Sequence, residues 1–353
     1  MRLRIRLDTS TLSAKHQSGV ASYTSLLSNA LSSDTDIAYE PIRKPPLPIR
    51  LYTKLHSYHL APPYDLFLPS TDLTIFPNFA KWPTIKSKTV ATVIHDLTYL
   101  YYPEFVEKAN LRYLRRVVPH AARRSDVIIT MSETVKGELI KEFGLPRSKI
   151  IVTPIPPAAI FFEKSTIDVI EKYKIPTNKY IYFIGNLEPR KNITALIHAY
   201  RALPTSIKNE YSLIIAGSKG WKSEAAEAEL EKAAKDGENI KHIGRINQTD
   251  NPALYQNAAL FVMPSLYEGF GIPVLEAMAS GTPVLCSDIP VLHETGGNAC
   301  LYTDTSSTNN FSAQIKSVLT SPALQKQLRT DGLRRATSYI WSKNVHTIKD
   351  KLI

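Results

Sequence analysis

Two glutamates eight residues apart, Glu268 and Glu276, frame a loop that contains Gly269 and Gly271. An apolar run before the loop predicts a strand, and Pro273 is well placed in the first turn of a helix. Glu268 would then lie in the loop and Glu276 near the start of the helix. Carboxylates at these positions could accept hydrogen bonds from sugar and ribose hydroxyls. The alternative for Glu276 is that it only complements the helix dipole.

A pair of cations follows a second predicted strand. That strand ends at Gly185, which permits a tight turn and close approach of a ligand. Arg190 and Lys191 come next, just before a predicted helix. Arginine can bind a diphosphate through its planar fork, and lysine can bind it as a point charge. The pair could form a phosphate site, but an Arg-Lys pair before a helix, taken alone, is usually a solvated surface pair.

His95 and Asp96 follow a third predicted strand. At a strand end the imidazole could contact a substrate, or it could only hydrogen-bond within its loop. Asp96 could fix the tautomer of the ring, or it could cap the next turn. Taken alone, these two residues leave both alternatives open.

Short apolar runs alternate twice with longer amphipathic stretches, which predicts an α/β fold with two parallel sheets covered by helices. The predicted strands are residues 3–7, 89–94, 127–130, 150–152, 180–184, 213–216, 260–263 and 284–286. The predicted helices are residues 23–31, 111–122, 134–143, 193–203 and 274–279, with Ser132 as a cap. Ligands of such sheets bind at the carboxyl ends of the strands, where helix N-termini favour anions. The three motifs all follow strands.

The length of 353 residues suits two domains. Prolines cluster between the two alternating halves, at Pro154, Pro156, Pro157 and Pro176. We place the break within residues 156–178 and predict domains of 1–165 and 166–336.

The composition, with 43% hydrophobic and 21% charged residues, is typical of a soluble globular protein. We find no apolar run of membrane-spanning length and no signal peptide, so we expect a cytoplasmic protein. Cys286 and Cys300 are too few for a disulfide framework and lack metal-ligand spacing; a bridge between them is the less favoured alternative.

Positive charge is concentrated in the first half of the chain. Residues 1–174 contain 24 basic and 16 acidic side chains, whereas residues 175–353 contain 19 and 16. Such a field attracts phosphates, anionic lipid headgroups or nucleic acid; the alternative is an ordinary solvated surface. The clusters are Arg43 with Lys44, Arg112, Arg115 with Arg116, and Arg123 with Arg124.

The motifs resemble those of a known family. EGFGIPVLEAMASGTPV resembles the E-x7-E signature of the retaining glycosyltransferase family 4, and GNLEPRKN is similar to its diphosphate-binding loop. Further similarity, from RLDTSTLSAKHQSGVASYTSLLSNAL to SDIPVLHETGGNACLY, spans nearly the whole chain in the expected order. The resemblance implies the GT-B fold, with two Rossmann-like domains facing across a cleft and a last helix, about 337–353, packed back on the first domain. LEPRKN with YEGFG resembles bacterial mannosyltransferases of cell-surface polysaccharide assembly.

The resemblance also implies roles for individual residues. Arg190 and Lys191 would neutralise the donor diphosphate, Glu268 would contact the transferred sugar, and Glu276 would hold the ribose. Backbone groups of Phe270, Gly271 and Ile272 would bind sugar hydroxyls or phosphate. From the first domain, Gly19 and Val20 would approach the diphosphate, and His95 would contact the sugar without acting as an essential base. The other implied contacts are Gly185 and Asn186 in the diphosphate loop, and Gly217, Gly244, Arg245 and Ile246 around the base.

The implied reaction is retaining and needs no metal or other cofactor. The departing phosphate would help to deprotonate the acceptor, and the cation pair would replace a divalent ion, since no Asp-x-Asp pattern has a convincing metal-binding setting. This sequence departs from many relatives at Asn186, at the serine before Gly19 and in the interdomain stretch TPIPPAAIF. The diphosphate contacts at the first two places and the hinge geometry are therefore less defined.

GDP-mannose is the expected donor, with UDP-sugars second, and a glycan or lipid-linked molecule is the expected acceptor. The basic first domain suggests peripheral binding to an anionic membrane surface, on the inner face of the plasma membrane. A sugar-nucleotide epimerase or a phosphorylase could share the two-sheet architecture, but the ordered motifs disfavour both. We predict no nucleic-acid partner, because no recognised binding module is present.

Overall fold

The computed structural model describes residues 2–13, 19–42, 45–58 and 60–351. The basic pair Arg43 and Lys44 lies outside the described residues. The chain divides into two compact units, one of Met1–Ile155 with Ile340–Ile353 and the other of Pro156–Tyr339. Each unit is described by itself below.

The first unit contains a parallel sheet. Its strands are β1 (Leu3–Asp8), β2 (Ile37–Ile42), β3 (Thr71–Phe76), β4 (Ser87–Val93), β5 (Val127–Thr130) and β6 (Ile150–Val152). Among the described residues their order is β2-β1-β3-β4-β5-β6, and every pair is parallel. The helices before the break are α1 (Gly19–Ser33), α2 (Ile49–Ser57), α3 (Thr98–Tyr101), α4 (Lys108–Arg124) and α5 (Glu133–Phe143).

Helix α5 begins as its sequence predicts. The Ser132 hydroxyl accepts a hydrogen bond from the Val135 amide at 3.1 Å, which confirms the predicted cap. The helix ends at Gly144, whose φ of 63° lies in the left-handed region. Its buried face, with Val135 and Leu139, joins the core of the first unit.

The second unit contains a second parallel sheet. Its strands are β7 (Lys179–Ile184), β8 (Tyr211–Ala216), β9 (Ile240–Gly244), β10 (Leu260–Met263), β11 (Val284–Ser287) and β12 (Leu301–Thr303). Their order is β12-β11-β10-β7-β8-β9. The helices are α6 (Val169–Tyr173), α7 (Ile193–Arg201), α8 (Thr205–Glu210), α9 (Glu224–Lys235), α10 (Asn251–Asn257), α11 (Ile272–Ala279), α12 (Pro290–Gly296), α13 (Thr308–Leu319) and α14 (Pro322–Thr337). These elements confirm the predicted α/β class with two parallel sheets.

The strand order of the second sheet reverses beside β7. The chain runs from β7 to β8 and β9 on one side, and it then returns to build β10, β11 and β12 on the other. Loops that leave β7 and β10 therefore diverge, and such a point of reversal is where parallel α/β sheets bind ligands. The predicted cation pair follows β7, and the predicted glutamate loop follows β10.

The sequence prediction omitted β2, β3, β9 and β12. Strands β2, β9 and β12 lie at sheet edges and are only partly buried, so their apolar pattern is weak. Strand β3 is central, but Asp72 and Thr74 interrupt its apolar run. Both polar side chains have partners across the sheet: Asp72 pairs with Lys88, and Thr74 hydrogen-bonds Ser87.

The last helix, α15 (Trp341–Asp350), belongs to the first unit. The Trp341 ring lies 6.3 Å from the ring of Tyr23 on α1. The Asn344 side chain donates to the Pro154 carbonyl at 2.6 Å, and Lys349 pairs with Asp36 at 2.9 Å. These contacts return the end of the chain to the unit in which it begins.

The break between the units falls after Ile155, ten residues before the predicted position between residues 165 and 166. The intervening segment packs on the second unit. The Phe161 ring meets the Tyr255 ring of α10 at 5.9 Å, and the Ser280 hydroxyl donates to the Phe161 carbonyl at 3.3 Å. These contacts explain the difference.

Cys286 and Cys300 are buried free thiols, with their Sγ atoms 3.8 Å apart. In the part of the chain that the structure describes, no helix has the length and apolar character needed to cross a membrane.

Candidate active site

The loop after β7 is joined to the loop after β8 by backbone contacts. The Gly185 amide donates to the Ala216 carbonyl at 3.0 Å, and the Leu187 amide donates to the Ser218 carbonyl at 2.9 Å. Gly217 adopts a φ of 138°, and a Cβ there would lie 1.9 Å from the Gly185 carbonyl oxygen. Only glycine permits this approach, so the two loops form a single rigid edge.

The loop after β7 is also tied to the loop after β10. The Arg190 carbonyl accepts a hydrogen bond from the Leu266 amide at 2.9 Å. Arg190 and Lys191 lie in a short helical turn, and Asn192, with a φ of 53°, leads from it into α7. The Asn192 amide group donates to the Thr305 hydroxyl at 3.2 Å. These contacts therefore fix the backbone positions of Arg190 and Lys191.

Glu268 lies between the two predicted cations. Its Oε2 is 2.8 Å from Nη1 of Arg190, and its Oε1 is 2.7 Å from Nζ of Lys191. Arg190 also donates to the Tyr267 carbonyl at 2.9 Å. Glu268 is 8% exposed, so water screens these pairs only weakly. The structure therefore brings three of the predicted site residues together in one buried cluster, the Arg190–Glu268–Lys191 triad.

The charges of the triad depend on one another. Burial by itself raises the pKa of Glu268, but Arg190 and Lys191 more than offset this and hold the pKa at about 2. Burial lowers the pKa of Lys191, and the charge of Glu268 opposes that change. At neutral pH Glu268 is ionised. A second carboxyl group, that of Glu188, lies 3.9 Å from Nη2 of Arg190, so a diphosphate bound here would share the two cations with two carboxyl groups.

The residues predicted to offer backbone groups lie at the start of α11. Ile272 is its first residue, and Gly271 precedes it with a φ of 99°. This φ favours glycine, and a Cβ at Gly271 would also lie 2.7 Å from Cδ2 of Leu292. The Phe270 carbonyl accepts a hydrogen bond from Thr295, which fixes the turn. The first amides of a helix lack intrahelical acceptors and favour an anion.

Glu276 is the fifth residue of α11, beyond its first turn. The Tyr255 hydroxyl, on α10, donates to Oε2 of Glu276 at 3.1 Å. Burial raises the pKa of Glu276 to about 7, although this hydrogen bond lowers it. Glu276 is partly buried and has a specific side-chain partner. It therefore differs from the exposed first-turn glutamate of the alternative, which would only complement the helix dipole.

The residues predicted around the base follow β8 and β9. The Gly217 amide donates to the Gly244 carbonyl at 2.8 Å, and Gly244 has a φ of 68°. Arg245 is exposed and Ile246 is partly buried. His242, which we did not predict, donates from Nε2 to the Gly217 carbonyl at 2.9 Å. This hydrogen bond fixes the position of Gly217 in the loop after β8.

Asn186, at which the sequence departs from many relatives, is exposed. Its side-chain amide donates to Oε1 of Glu188 at 3.3 Å, within the same loop. Glu188 in turn packs against Gly220, where a Cβ would lie 2.5 Å from Cγ of Glu188. The asparagine side chain therefore supports the shape of its own loop.

In the first unit, His95 lies between two rings. The ring centroids of Tyr23 and Phe79 are each 5.2 Å from that of His95. Nε2 of His95 is 2.7 Å from the Pro77 carbonyl, which can only accept, so Nε2 carries the proton. Burial lowers the pKa of His95, which favours the neutral ring. Asp96 accepts from the Thr98 amide at 2.9 Å, so it forms an Asx turn that leads into α3, whose N-cap position is Leu97.

Gly19 and Val20 are the first two residues of α1. The Val20 carbonyl accepts from the Thr24 hydroxyl at 2.8 Å, an interaction within the helix. A Cβ at Gly19 would meet no described atom within 4 Å, so the described part of the fold does not by itself demand glycine there.

Two parallel sheets, with a cation pair and a carboxylate where one strand order reverses, define an α/β enzyme of the GT-B class. The fold is similar to sucrose-phosphate synthase from Thermosynechococcus elongatus, with a TM-score of 0.73 and 19% identity over 99% of this chain and 98% of that one. It is also similar to Anabaena HepE in complex with UDP and glucose, with a TM-score of 0.72 and 15% identity over 99% of both chains. These likenesses establish the fold.

Sequence comparison gives the family. Residues 24–156 match Glycosyltransferase Family 4, and residues 166–335 match Glycosyl transferases group 1. The O-antigen chain mannosyltransferase B of Escherichia coli is 31% identical over 303 residues, 85% of this chain and 78% of that protein. The O-antigen chain mannosyltransferase RfbU of Salmonella typhimurium is 30% identical over 260 residues, 73% of this chain and 66% of that protein. The chain belongs to glycosyltransferase family 4 and is a glycosyltransferase.

Proposed function

We propose that this glycosyltransferase transfers mannose from GDP-mannose, with retention of anomeric configuration, to a glycan or lipid-linked acceptor in cell-surface polysaccharide or glycolipid synthesis. The Arg190–Glu268–Lys191 triad at the reversal of the second sheet carries the proposal. Mannose is supported by the names of the two bacterial relatives. UDP-sugars are the alternative donors, because a structural neighbour holds UDP and glucose.

The proposed chemistry follows from the two fixed cations of the triad, Arg190 and Lys191. When the sugar–phosphate bond breaks, positive charge develops on the anomeric carbon and negative charge on the diphosphate. Arg190 and Lys191 are fixed before the reaction, so they stabilise the leaving diphosphate with little reorganisation. In this proposal they replace a divalent metal ion. A diphosphate oxygen, and no protein carboxylate, takes the proton of the attacking hydroxyl on the same face of the sugar.

Glu268 is proposed to hold the transferred sugar. Its pKa of about 2 keeps it ionised, so it accepts hydrogen bonds from sugar hydroxyls and does not act as a general acid. The amides at residues 270–272 are proposed to bind the hydroxyls or the phosphate, and Glu276 the ribose. In the first unit, His95 is proposed to contact the sugar through its unprotonated Nδ1. The backbone of Gly19 and Val20 is proposed to contact the diphosphate.

A lipid-linked acceptor is supported by one surface of the first unit, the α2–α4 face. Residues 41–63 and 108–125 contain no acidic side chain. The Arg116 guanidinium lies 5.0 Å above the Tyr58 ring, which joins the C-terminal end of α2 to the middle of α4. Ile49 and Leu51 of α2 are 47% and 46% exposed. Exposed cations on α4 and exposed aliphatic side chains on the neighbouring α2 suit peripheral binding to an anionic membrane, and we propose the inner face of the plasma membrane.

Flotation with phosphatidylglycerol-containing and pure phosphatidylcholine vesicles tests the α2–α4 face. We expect binding only to the anionic vesicles, weakened by salt and by the double substitution Arg112→Gln, Arg116→Gln. Arg334→Gln, an exposed arginine on α14, is the matched control and should bind like wild type. Equal binding to both vesicle types, or no binding even at low salt, would contradict the membrane proposal and leave the transferase proposal intact.

The reaction itself is tested by product analysis. Purified protein is incubated with GDP-mannose, GDP-glucose, UDP-glucose or UDP-N-acetylglucosamine and with lipid-linked glycan acceptors, and the product linkage is read by NMR. We expect an α-mannoside from α-linked GDP-mannose, with unchanged rates in excess EDTA. A β-linked product, or complete loss of transfer in EDTA with recovery on adding a metal, would refute the proposed mechanism. Conversion of the donor without acceptor into an epimer, or phosphate-dependent cleavage of a glycan, would instead identify an epimerase or a phosphorylase.

A further inference from the structure

A buried tyrosine on α10 contacts the glutamate proposed to bind the ribose. Tyr255 is fully buried, and its Oη lies 3.1 Å from Oε2 of Glu276. An ionised carboxylate can only accept, so the phenol donates. Burial raises the pKa of Tyr255 well above its ordinary value, so the hydroxyl keeps its proton throughout the working range of pH.

The position of this hydroxyl is fixed by aromatic packing. The Tyr255 ring meets the rings of Phe161, Tyr182 and Phe261 at centroid distances of 5.9, 5.2 and 5.2 Å, each in an edge-to-face arrangement. The Tyr255 carbonyl accepts from the Thr282 hydroxyl at 2.6 Å. The packing therefore keeps the Tyr255 hydroxyl in one place, and its hydrogen bond fixes the orientation of the Glu276 carboxylate.

The two carboxylate oxygens of Glu276 therefore differ in their hydrogen bonding. Oε2 is taken by Tyr255, whereas within the described ranges no hydrogen bond reaches Oε1. Glu276 is only partly buried, so Oε1 is available as an acceptor. A carboxylate with one oxygen held and the other available suits a vicinal diol, because its orientation is set before the ligand arrives.

We propose that Tyr255 is a positioning residue, whose hydroxyl holds Oε2 of Glu276 so that the carboxylate presents Oε1 to the ribose hydroxyls of the donor. The inference rests on the proposed role of Glu276 in ribose binding. Tyr255 does not touch the reacting atoms, so it acts on donor affinity and on the recognition of ribose and not on the bond-breaking step.

Calorimetric binding of GDP and 2′-deoxy-GDP tests the inference (UDP and 2′-deoxy-UDP if the transfer assay selects UDP). We expect wild type to prefer the ribonucleotide by about 30-fold, since a hydrogen bond to a charged group is among the stronger ones. Tyr255→Phe should bind GDP about tenfold more weakly and lose most of this preference. Its KM for the donor should rise, and its kcat should stay within about twofold of wild type.

Tyr180→Phe is the matched control. Tyr180 is equally buried and packs on Tyr182 in the same aromatic cluster, but its hydroxyl donates to the Leu254 carbonyl at 2.7 Å, away from Glu276. Loss of that hydroxyl should lower stability about as much as Tyr255→Phe does and leave the ribose preference unchanged. An equal loss of preference in both variants would show a general structural effect and overturn the inference.

Glu276→Gln separates failure of the inference from failure of the proposed function. If Tyr255 acts through Glu276, Tyr255→Phe combined with Glu276→Gln should bind GDP no more weakly than Glu276→Gln alone. Additive losses, or a full ribose preference in Tyr255→Phe, would overturn the positioning role. A full ribose preference in Glu276→Gln would instead overturn the proposed role of Glu276 itself.

Discussion

Replacing Glu268 with glutamine removes a negative charge from between two cations and keeps nearly the same shape. The side chain is buried, and its two oxygens lie 2.8 and 2.7 Å from the nitrogens of Arg190 and Lys191. A glutamine can still accept through its carbonyl oxygen, but Lys191 loses its paired carboxylate and Arg190 keeps only the more distant Glu188, at 3.9 Å. We therefore expect Glu268→Gln to destabilise the second unit.

The size of the effect follows from the pKa of Glu268. Lowering the pKa from its ordinary value of 4.5 to about 2 corresponds to about 3 kcal/mol of favourable interaction with the ionised form. This agrees in order of magnitude with the cost of about 3–5 kcal/mol for breaking a buried ion pair. Because the folded-state pKa is depressed, this stability is present above pH 4.5 and is lost as the pH falls toward 2.

Urea unfolding followed by tryptophan fluorescence and circular dichroism at pH 7.5 measures the change. We expect the free energy of unfolding to fall by about 3 kcal/mol, and the gap to wild type to narrow below pH 4.5. Glu210→Gln is the control. Glu210 pairs with Lys179 at 2.5 Å, but the side chains of Lys179 and Glu210 are 58% and 50% exposed, so loss of this pair should change the free energy of unfolding little. Equal urea midpoints for wild type and Glu268→Gln would refute the electrostatic account of the triad.

Three further predictions concern the same unit. Lys191→Met should lower kcat about 10²–10³-fold in the transfer assay, because one fixed donor to the leaving diphosphate is lost, and unchanged kcat would contradict that role. Since burial raises the pKa of Glu276 to about 7, and the ionised form is the better acceptor for ribose, the donor KM should rise about tenfold between pH 8 and pH 6; Glu276→Gln should flatten this profile. Gly217→Ala should cost about 3 kcal/mol in urea unfolding, because its Cβ would lie 1.9 Å from a carbonyl oxygen, whereas Gly137→Ala, with nothing within 4 Å, should be tolerated.

Local sequence rules were sufficient for the positions of the second unit's loops. Pro273 falls at the second residue of α11, as its preference for the first turn predicts. Gly185 follows β7 directly, and the apolar run at 260–263 is β10. Each of these features depends on neighbours in sequence, which explains why the elements that carry the site could be predicted.

Contacts between distant segments were not predictable in the same way. Glu268 pairs with Lys191 across 77 residues, and the sequence indicated a phosphate site and a sugar contact but no ion triad. Tyr255 and His242 act through single hydrogen bonds to Glu276 and Gly217, and nothing in their own segments marks them. Such partners depend on which strands become neighbours, and that order reverses at β7.

The edge strands show a further limit. Both faces of a central strand in a parallel sheet are covered, so its side chains form a nearly continuous apolar run, whereas most residues of the edge strands β2 and β9 are only partly buried. The hydrophobic pattern therefore found central strands such as β7 and β10 and passed over these edges.

A crystal structure of the protein with the nucleoside diphosphate of its donor tests the central claim most directly. We predict that the diphosphate lies at the carboxyl ends of β7 and β10, with oxygens within hydrogen-bonding distance of Arg190 and Lys191 and the ribose against Glu276. A diphosphate bound elsewhere on the chain, with the triad unchanged and out of contact, would contradict the account.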